Sequence, residues 1–271
     1  MSSYETTSTT GTHGELVVHR WTPPADHPYG IVLLAHGYGE HAGRYRHVAA
    51  NLNAAGYSVI APDHAGHGLS AGERALIVDL ETLVDDFAAV GRAARAEHPA
   101  VPLVILGHSL GGVIATRTVQ RGLVPADALI LSGPIVGGNP DILALLDLDP
   151  IPEVPIDPAV LSRDPEVGKA YTDDPLVYHG PFRRETLQAL ATIVPVIAAA
   201  DPIGDLPTLY LHGEEDALAP HAVTKPVVEG LGITSLEQRV YDGARHEILN
   251  ETVRTEVLAD IGTFLFRALP A

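Results

Sequence analysis

Short apolar runs bounded by Gly, Pro or Asp alternate along this chain with segments of helical period, and few folds accommodate that rhythm. Residues 31–35, 57–61, 103–106, 128–131, 209–211 and 236–241 are rich in β-branched residues and Leu and read as strands buried on both faces. Between two of them, Leu80, Leu83, Val84, Phe87, Val90 and Ala94 follow a helix period over 79–98, with Asp79 placed to cap the first turn. Strands buried on both sides and separated by helices predict an α/β fold with a mostly parallel central sheet flanked by helices.

With 271 residues, 46% of them apolar, the chain can bury one sizeable core, so a single domain is expected. Cysteine is absent, which excludes a disulfide framework, a thiolate nucleophile and a Cys-based zinc site. A formal charge of -17 repels phosphate backbones and argues against a nucleic-acid partner. The opening MSSYETTSTTGTHG has neither a basic start nor an apolar run, so residues 1–14 are expected to be a flexible tail and no secretory signal. The longest apolar stretch, near 196–200, falls far short of the roughly 20 residues needed to span a bilayer, and a soluble cytoplasmic protein is expected.

Residues 134–205 break the rhythm. Prolines recur from Pro140 to Pro202 and are expected to prevent long regular elements, yet Ile142, Leu143, Leu148, Ile156 and Leu161 make the first half too apolar for a solvated loop. We read 134–205 as a short Pro-rich cap inserted in a core formed by 15–133 and 206–271.

The strongest chemical signal is Gly107-His108-Ser109-Leu110-Gly111, directly after one strand and before an apolar helix from Val113. This is the context of a nucleophile elbow, in which side chains two residues either side of the serine would collide with the adjoining strand and helix. A serine hydroxyl needs a base within hydrogen-bond reach and an acid to orient that base, and both should follow in the order Ser, Asp, His. Asp216 stands at the end of a strand in LHGEEDALAP and is favoured over Glu214 and Glu215; His246 stands on the loop after the last strand. Asp242 and Glu247, so close to His246 along the chain, read as surface charges.

The developing oxyanion needs backbone donors. The amide of Leu110 lies at the positive end of the helix after Ser109, and that of Tyr38 lies in the loop His36-Gly37-Tyr38-Gly39. His36 itself reads as a turn-stabilising side chain. His64 and His67 flank a glycine in a turn, but neither an HExxH helix nor an HxHxDH run is present, so no metal site is expected.

The phrases HGYGEHAGRY, APDHAGHGLSAGER, GHSLGG, SRDPEVGKAYTDDPL, LHGEED and GARHE together resemble the monoacylglycerol lipases, over a span from about Leu16 to the C-terminus. The resemblance implies an α/β-hydrolase fold with a mobile cap and hydrolysis of a fatty-acyl ester of glycerol, without any cofactor. It assigns Ser109, Asp216 and His246 to a triad and the amides of Tyr38 and Leu110 to the oxyanion hole. It also implies that Glu40, Arg44, His108 and Tyr171 form a polar end of the pocket that reads glycerol hydroxyls, although Glu40 and Arg44 can equally be a pair bracing the loop under Tyr38. The sequence departs from the family where animal enzymes carry a second histidine, at Leu249, and in a cap that looks shorter. Two other readings stay open: a carboxylesterase for short-chain, aromatic or lysophospholipid monoesters, and a non-catalytic binding member of the fold. The expected partner is a small-molecule ester, with weak peripheral contact to lipid through the apolar edge of the cap.

Overall fold

A computed structural model describes residues 2–24, 27–153 and 155–269. The order of elements is β1 (Ser3–Gly11), β2 (Gly14–Thr22), β3 (Gly30–Ala35), α1 (Arg46–Ala54), β4 (Tyr57–Pro62), α2 (Leu80–Glu97), β5 (Leu103–His108), α3 (Leu110–Gln120) and β6 (Ala128–Ser132). It continues through α4 (Pro140–Leu143), α5 (Pro165–Asp173), α6 (Arg184–Ala199), β7 (Thr208–Gly213), α7 (His221–Gly230), β8 (Leu236–Tyr241) and α8 (Arg254–Ala268). The eight strands form one sheet in the order β1-β2-β4-β3-β5-β6-β7-β8, antiparallel at β1-β2 and β2-β4 and parallel from β4 to β8.

Alternate residues of the central strands feed two cores. Ile31, Leu33 and Ala35 pack on the side of α2, α3 and α6, and Val32 and Leu34 on the side of α1 and α8. Burial on both faces explains why these strands carry unbroken apolar runs. The helix expected over 79–98 is α2, with the Asp79 carboxylate accepting from the Glu81 amide.

The structure corrects three expectations. Residues 3–11 are no flexible tail: β1 pairs with β2 along its whole length and forms the edge of the sheet. A two-residue turn joins the strands, and Asp86 of α2 accepts from the Thr12 amide and hydroxyl at 2.8 and 2.7 Å. Met1 lies outside the described residues. The strand at 236–241 is not buried on both faces; β8 is the opposite edge, and Val240 is exposed. Finally, prolines do not keep the segment between β6 and β7 irregular. Asn139-Pro140, Asp157-Pro158 and Asp164-Pro165 each place a capping side chain before a proline in the first turn of a short helix. The 16-residue α6 even carries Pro195 within it.

Candidate active site

The chain leaves β4 and crosses β3 to form β5, so the strand order reverses between β3 and β5 and the loops after them leave the sheet side by side. Ligands in open α/β sheets sit at such a switch point, beyond the carboxyl ends of the strands. Ser109 follows β5 there. It sits at φ 54°, ψ −117°, a left-handed backbone that a non-glycine residue adopts only under strain. A Cβ on Gly107 would lie 2.2 Å from the Gly111 carbonyl oxygen, and one on Gly111 only 2.0 Å from that of Ala35. The elbow brings strand and helix backbones into contact, which is why the flanking positions are glycine.

His246 Nε2 lies 2.8 Å from Ser109 Oγ, and His246 Nδ1 lies 2.8 Å from Asp216 Oδ2. The other Asp216 oxygen accepts from the Leu218 and Ala219 amides at 2.9 and 2.8 Å. Burial alone would raise the Asp216 pKa, but the His246 imidazole and the donors around the carboxylate hold it well below the usual range. Burial alone would lower the His246 pKa, but the Asp216 charge outweighs that effect and raises it, with Glu247 and Glu40 adding in the same sense. A base made stronger by a buried carboxylate, within reach of a strained serine, can draw a proton from that hydroxyl.

Gly37 touches the serine from the loop after β3: a Cβ there would come within 3.2 Å of Ser109 Cβ. Among the described residues, the Tyr38 and Leu110 amides donate to no protein acceptor. His36 braces the turn, with Nδ1 against the Gly37 carbonyl at 2.8 Å and Nε2 accepting from the His64 amide at 3.0 Å. His36, His64 and His67 cluster with their rings tilted or edge-on to one another, and their pKa values are lowered, chiefly by burial. Among the described residues, no three His, Asp or Glu side chains are grouped to hold a metal ion.

The four residues expected at a polar end separate into two kinds. Glu40 and Arg44 form a brace. Glu40 Oε1 accepts from the Gly37 amide and the Tyr45 hydroxyl, both at 2.6 Å, and its Oε2 accepts from Arg44 at 2.7 Å. The same Arg44 nitrogen, Nη1, also donates to Glu247 Oε1 at 2.6 Å, and Nη2 donates to Glu247 Oε2 at 2.8 Å. Glu247 is therefore no surface charge: it is 4% exposed and ties the His246 loop to the loop under Tyr38. Sequence reasoning missed it because its partner lies 203 residues away. Asp242, by contrast, is exposed.

His108 and Tyr171 face the cleft with groups to spare. His108 Nδ1 lies 3.0 Å from the Ser132 carbonyl, so that nitrogen carries the proton and Nε2 is an acceptor. Burial first, and then the neighbouring His246, lower its pKa to about 4 and keep the ring neutral. The Tyr171 ring lies under the Arg44 guanidinium, 5.2 Å away, and burial pushes its hydroxyl up to about 12. Leu249 is buried in the core beneath the loop.

Two cavities meet at Ser109. One, of about 480 Å³ to its open mouth, has Glu40, His108, Tyr171 and Glu247 among its walls along with Ile156 and Leu161. The other, of about 410 Å³, runs under α6 between Leu110, Leu187, Leu190 and Phe182. Both share Tyr38, Ile135 and Ile142. The segment between β6 and β7 thus walls both cavities, and it is tied to the His246 loop where the Glu247 amide donates to the Leu161 carbonyl at 2.8 Å.

A reversed parallel sheet with a strained serine after one strand, and a carboxylate and an imidazole on later loops, defines a serine hydrolase of the α/β-hydrolase fold. The chain belongs to the family described as serine aminopeptidase, S33, which matches residues 26–253. It is 39% identical over 259 residues to a monoacylglycerol lipase of Mycolicibacterium smegmatis, covering 92% of each protein. It is also 30% identical to the monoglyceride lipase of Rattus norvegicus, over 93% of this chain and 87% of that one. Among solved structures it is similar to the monoacylglycerol lipase of Paleococcus ferrophilus, with a TM-score of 0.78, 25% identity and coverage of 98% and 99%.

Proposed function

We propose that the protein hydrolyses monoacylglycerols, releasing fatty acid and glycerol through an acyl-enzyme. Ser109 attacks the ester carbonyl while His246 takes its proton, Asp216 holds the imidazole in the tautomer that accepts at Nε2, and the Tyr38 and Leu110 amides receive the oxyanion. Protonated His246 then hands its proton to the departing glycerol oxygen, and water attacks the acyl-enzyme by the same path in reverse. The observation that carries this reading is the unbroken chain of two 2.8 Å contacts from Ser109 through His246 to Asp216, opening on two mostly apolar cavities of which one also carries His108 and Tyr171 in its wall. The cavity under α6 suits an acyl chain. The other offers an open acceptor at His108 Nε2 and a hydroxyl at Tyr171, groups that match the hydroxyls of glycerol. The relatives named monoacylglycerol lipase support the same substrate class.

A peptide substrate entering by its amino terminus would need a free carboxylate, and the Glu40 and Glu247 oxygens are already taken by Arg44, Gly37, Tyr45 and Asn250. In this reading residues 134–205 act as a cap, and Leu148 and Val196, exposed on it, give weak contact with neutral lipid. Among the described residues, no helix is long and apolar enough to cross a membrane.

Hydrolysis rates for monoacylglycerols, aromatic and short-chain esters, lysophospholipids and aminoacyl anilides test the assignment. The expected result is the highest kcat/KM for monoacylglycerols and no cleavage of anilides; a large preference for another class overturns the substrate. Ser109→Ala is expected to lose fluorophosphonate labelling and nearly all turnover while keeping its melting temperature, and an unchanged rate refutes the nucleophile. Co-sedimentation with neutral liposomes tests the lipid contact.

A further inference from the structure

Behind Asp216, on the side away from His246, stands a second histidine that the mechanism above does not use. His212 lies on β7 with its side chain fully buried, and its Nε2 is 2.7 Å from the Ala219 carbonyl oxygen and 3.2 Å from Asp216 Oδ2. A carbonyl only accepts, so Nε2 carries the proton and Nδ1 is left as an acceptor. That acceptor is filled: the Tyr210 hydroxyl lies 2.7 Å from Nδ1. The tautomer is thereby fixed from both ends.

The same ring grips the loop that carries the acid. Asp216 Oδ1 accepts from the Ala219 amide, and the carbonyl of Ala219 accepts from His212. The His212 N–H, aimed chiefly at that carbonyl, also lies close to Oδ2, the oxygen that faces His246. We propose that His212, locked by Tyr210, is a positioning residue that holds the Asp216 carboxylate from behind and thereby sets how strongly it orients and charges His246. This rests on the ester-hydrolase reading only through the roles of Ser109, Asp216 and His246.

Two features distinguish this from ordinary core filling. A buried imidazole in an otherwise apolar strand is costly unless both nitrogens are satisfied, and an apolar residue of the same size would fill the space without that demand. The N–H also lowers the pKa of Asp216, opposing the effect of burial. The other groups around the pair are His108, Glu40 and Glu247 on the His246 side, and Tyr210, His221, Lys225 and Glu229 on the His212 side. Altering residue 212 also takes the acceptor from the Tyr210 hydroxyl and a group that lowers the His221 pKa, whereas Tyr210→Phe keeps the His212 ring beside both Asp216 and His221 and so isolates the contact. Without the N–H, Asp216 becomes more basic and pulls harder on the His246 proton, and the acid limb of reactivity moves to higher pH.

The test measures the rate of fluorophosphonate inactivation from pH 5 to pH 9, which reports on serine activation without requiring any particular ester. His212→Met is expected to react roughly tenfold more slowly, with its acid limb raised by about 0.5 pH unit. His212→Gln, which can return an N–H to the same place, is expected to recover most of the rate and the wild-type limb. Tyr210→Phe keeps the histidine but frees its tautomer, and is expected to lie between wild type and His212→Met. It carries the test if His212→Met does not fold. A His212→Met or Tyr210→Phe enzyme with the wild-type rate and limb overturns the proposal, as does a slowed enzyme whose limb has not moved. Failure of the wild type to react at any pH instead sinks the serine-hydrolase reading on which the test stands.

Discussion

Replacing Glu247 by Gln perturbs the joint between the loop that carries His246 and the loop under Tyr38. Arg44 has a side chain only 9% exposed and makes three charge-assisted bonds, two to Glu247 and one to Glu40. In the variant one carboxylate oxygen becomes an amide nitrogen that faces a guanidinium N–H, so one bond is lost and the other is weakened. Removing one partner of a buried pair costs about 3 to 5 kcal/mol. Here Glu40 still compensates the cation, and the repulsion between the two carboxylates that flank it is relieved, so the expected net loss is about 2 kcal/mol. For a chain of this size that corresponds to a fall in Tm of about 4 to 8 °C. The charge of Arg44 holds the Glu247 carboxyl below the usual carboxylate range despite the opposing effect of burial. A carboxylate with a depressed folded pKa stabilises the protein above its unfolded value, and that contribution is lost as pH falls through the folded value. Wild type and variant should therefore differ fully at neutral pH, begin to converge below the unfolded value of about 4.3 and meet only near the folded value of about 2. Urea unfolding at a series of pH values reads this directly. A difference at pH 7 below about 0.5 kcal/mol, or one that persists undiminished into acid, refutes the argument that the pair is a buried brace.

Two further outcomes follow from the site. The raised pKa of His246 places the acid limb of kcat/KM above the ordinary imidazole value of about 6.5, because the base must be neutral to accept the serine proton; a limb at or below that value shows that Asp216 does not charge the imidazole as described. Gly111→Ala should cost about 3 kcal/mol or more, seen as lost soluble yield or a lowered Tm, since its Cβ would lie 2.0 Å from backbone in β3. Gly262→Ala, in α8 with nothing within 4 Å, is the control and should be neutral or stabilising by about 1 kcal/mol.

What the residues disclose in sequence follows from how far apart the interacting groups lie. The elbow is local: strand, serine, helix and the glycines that let their backbones touch lie within a few residues, so the phrase around Ser109 carries its own geometry. The central strands are legible for a related reason, since burial on both faces writes itself into every position of β3 and β5. Strand β1 leaves no such mark. Its Thr and Ser side chains bury nothing, and it is held by backbone pairing to β2 and by Asp86, so a polar edge strand reads as a tail. The prolines between β6 and β7 misled because their local meaning is twofold: after Asn or Asp they start a helix, and the spacing Asn139-Pro140, Asp157-Pro158, Asp164-Pro165 contained that signal.

The braces of the site are the least legible because each joins segments remote along the chain. Glu247 can be read only with Arg44, and a histidine in an apolar strand such as His212 takes its meaning from a turn four residues later that must first fold back. The side chains assigned here to the reaction, Ser109, Asp216 and His246, announce themselves because chemistry restricts such roles to few residue types in a fixed order. The groups that hold them need only supply a charge or an N–H at the right point, a requirement that many residues meet, and it is the fold of the sheet edge that selects among them.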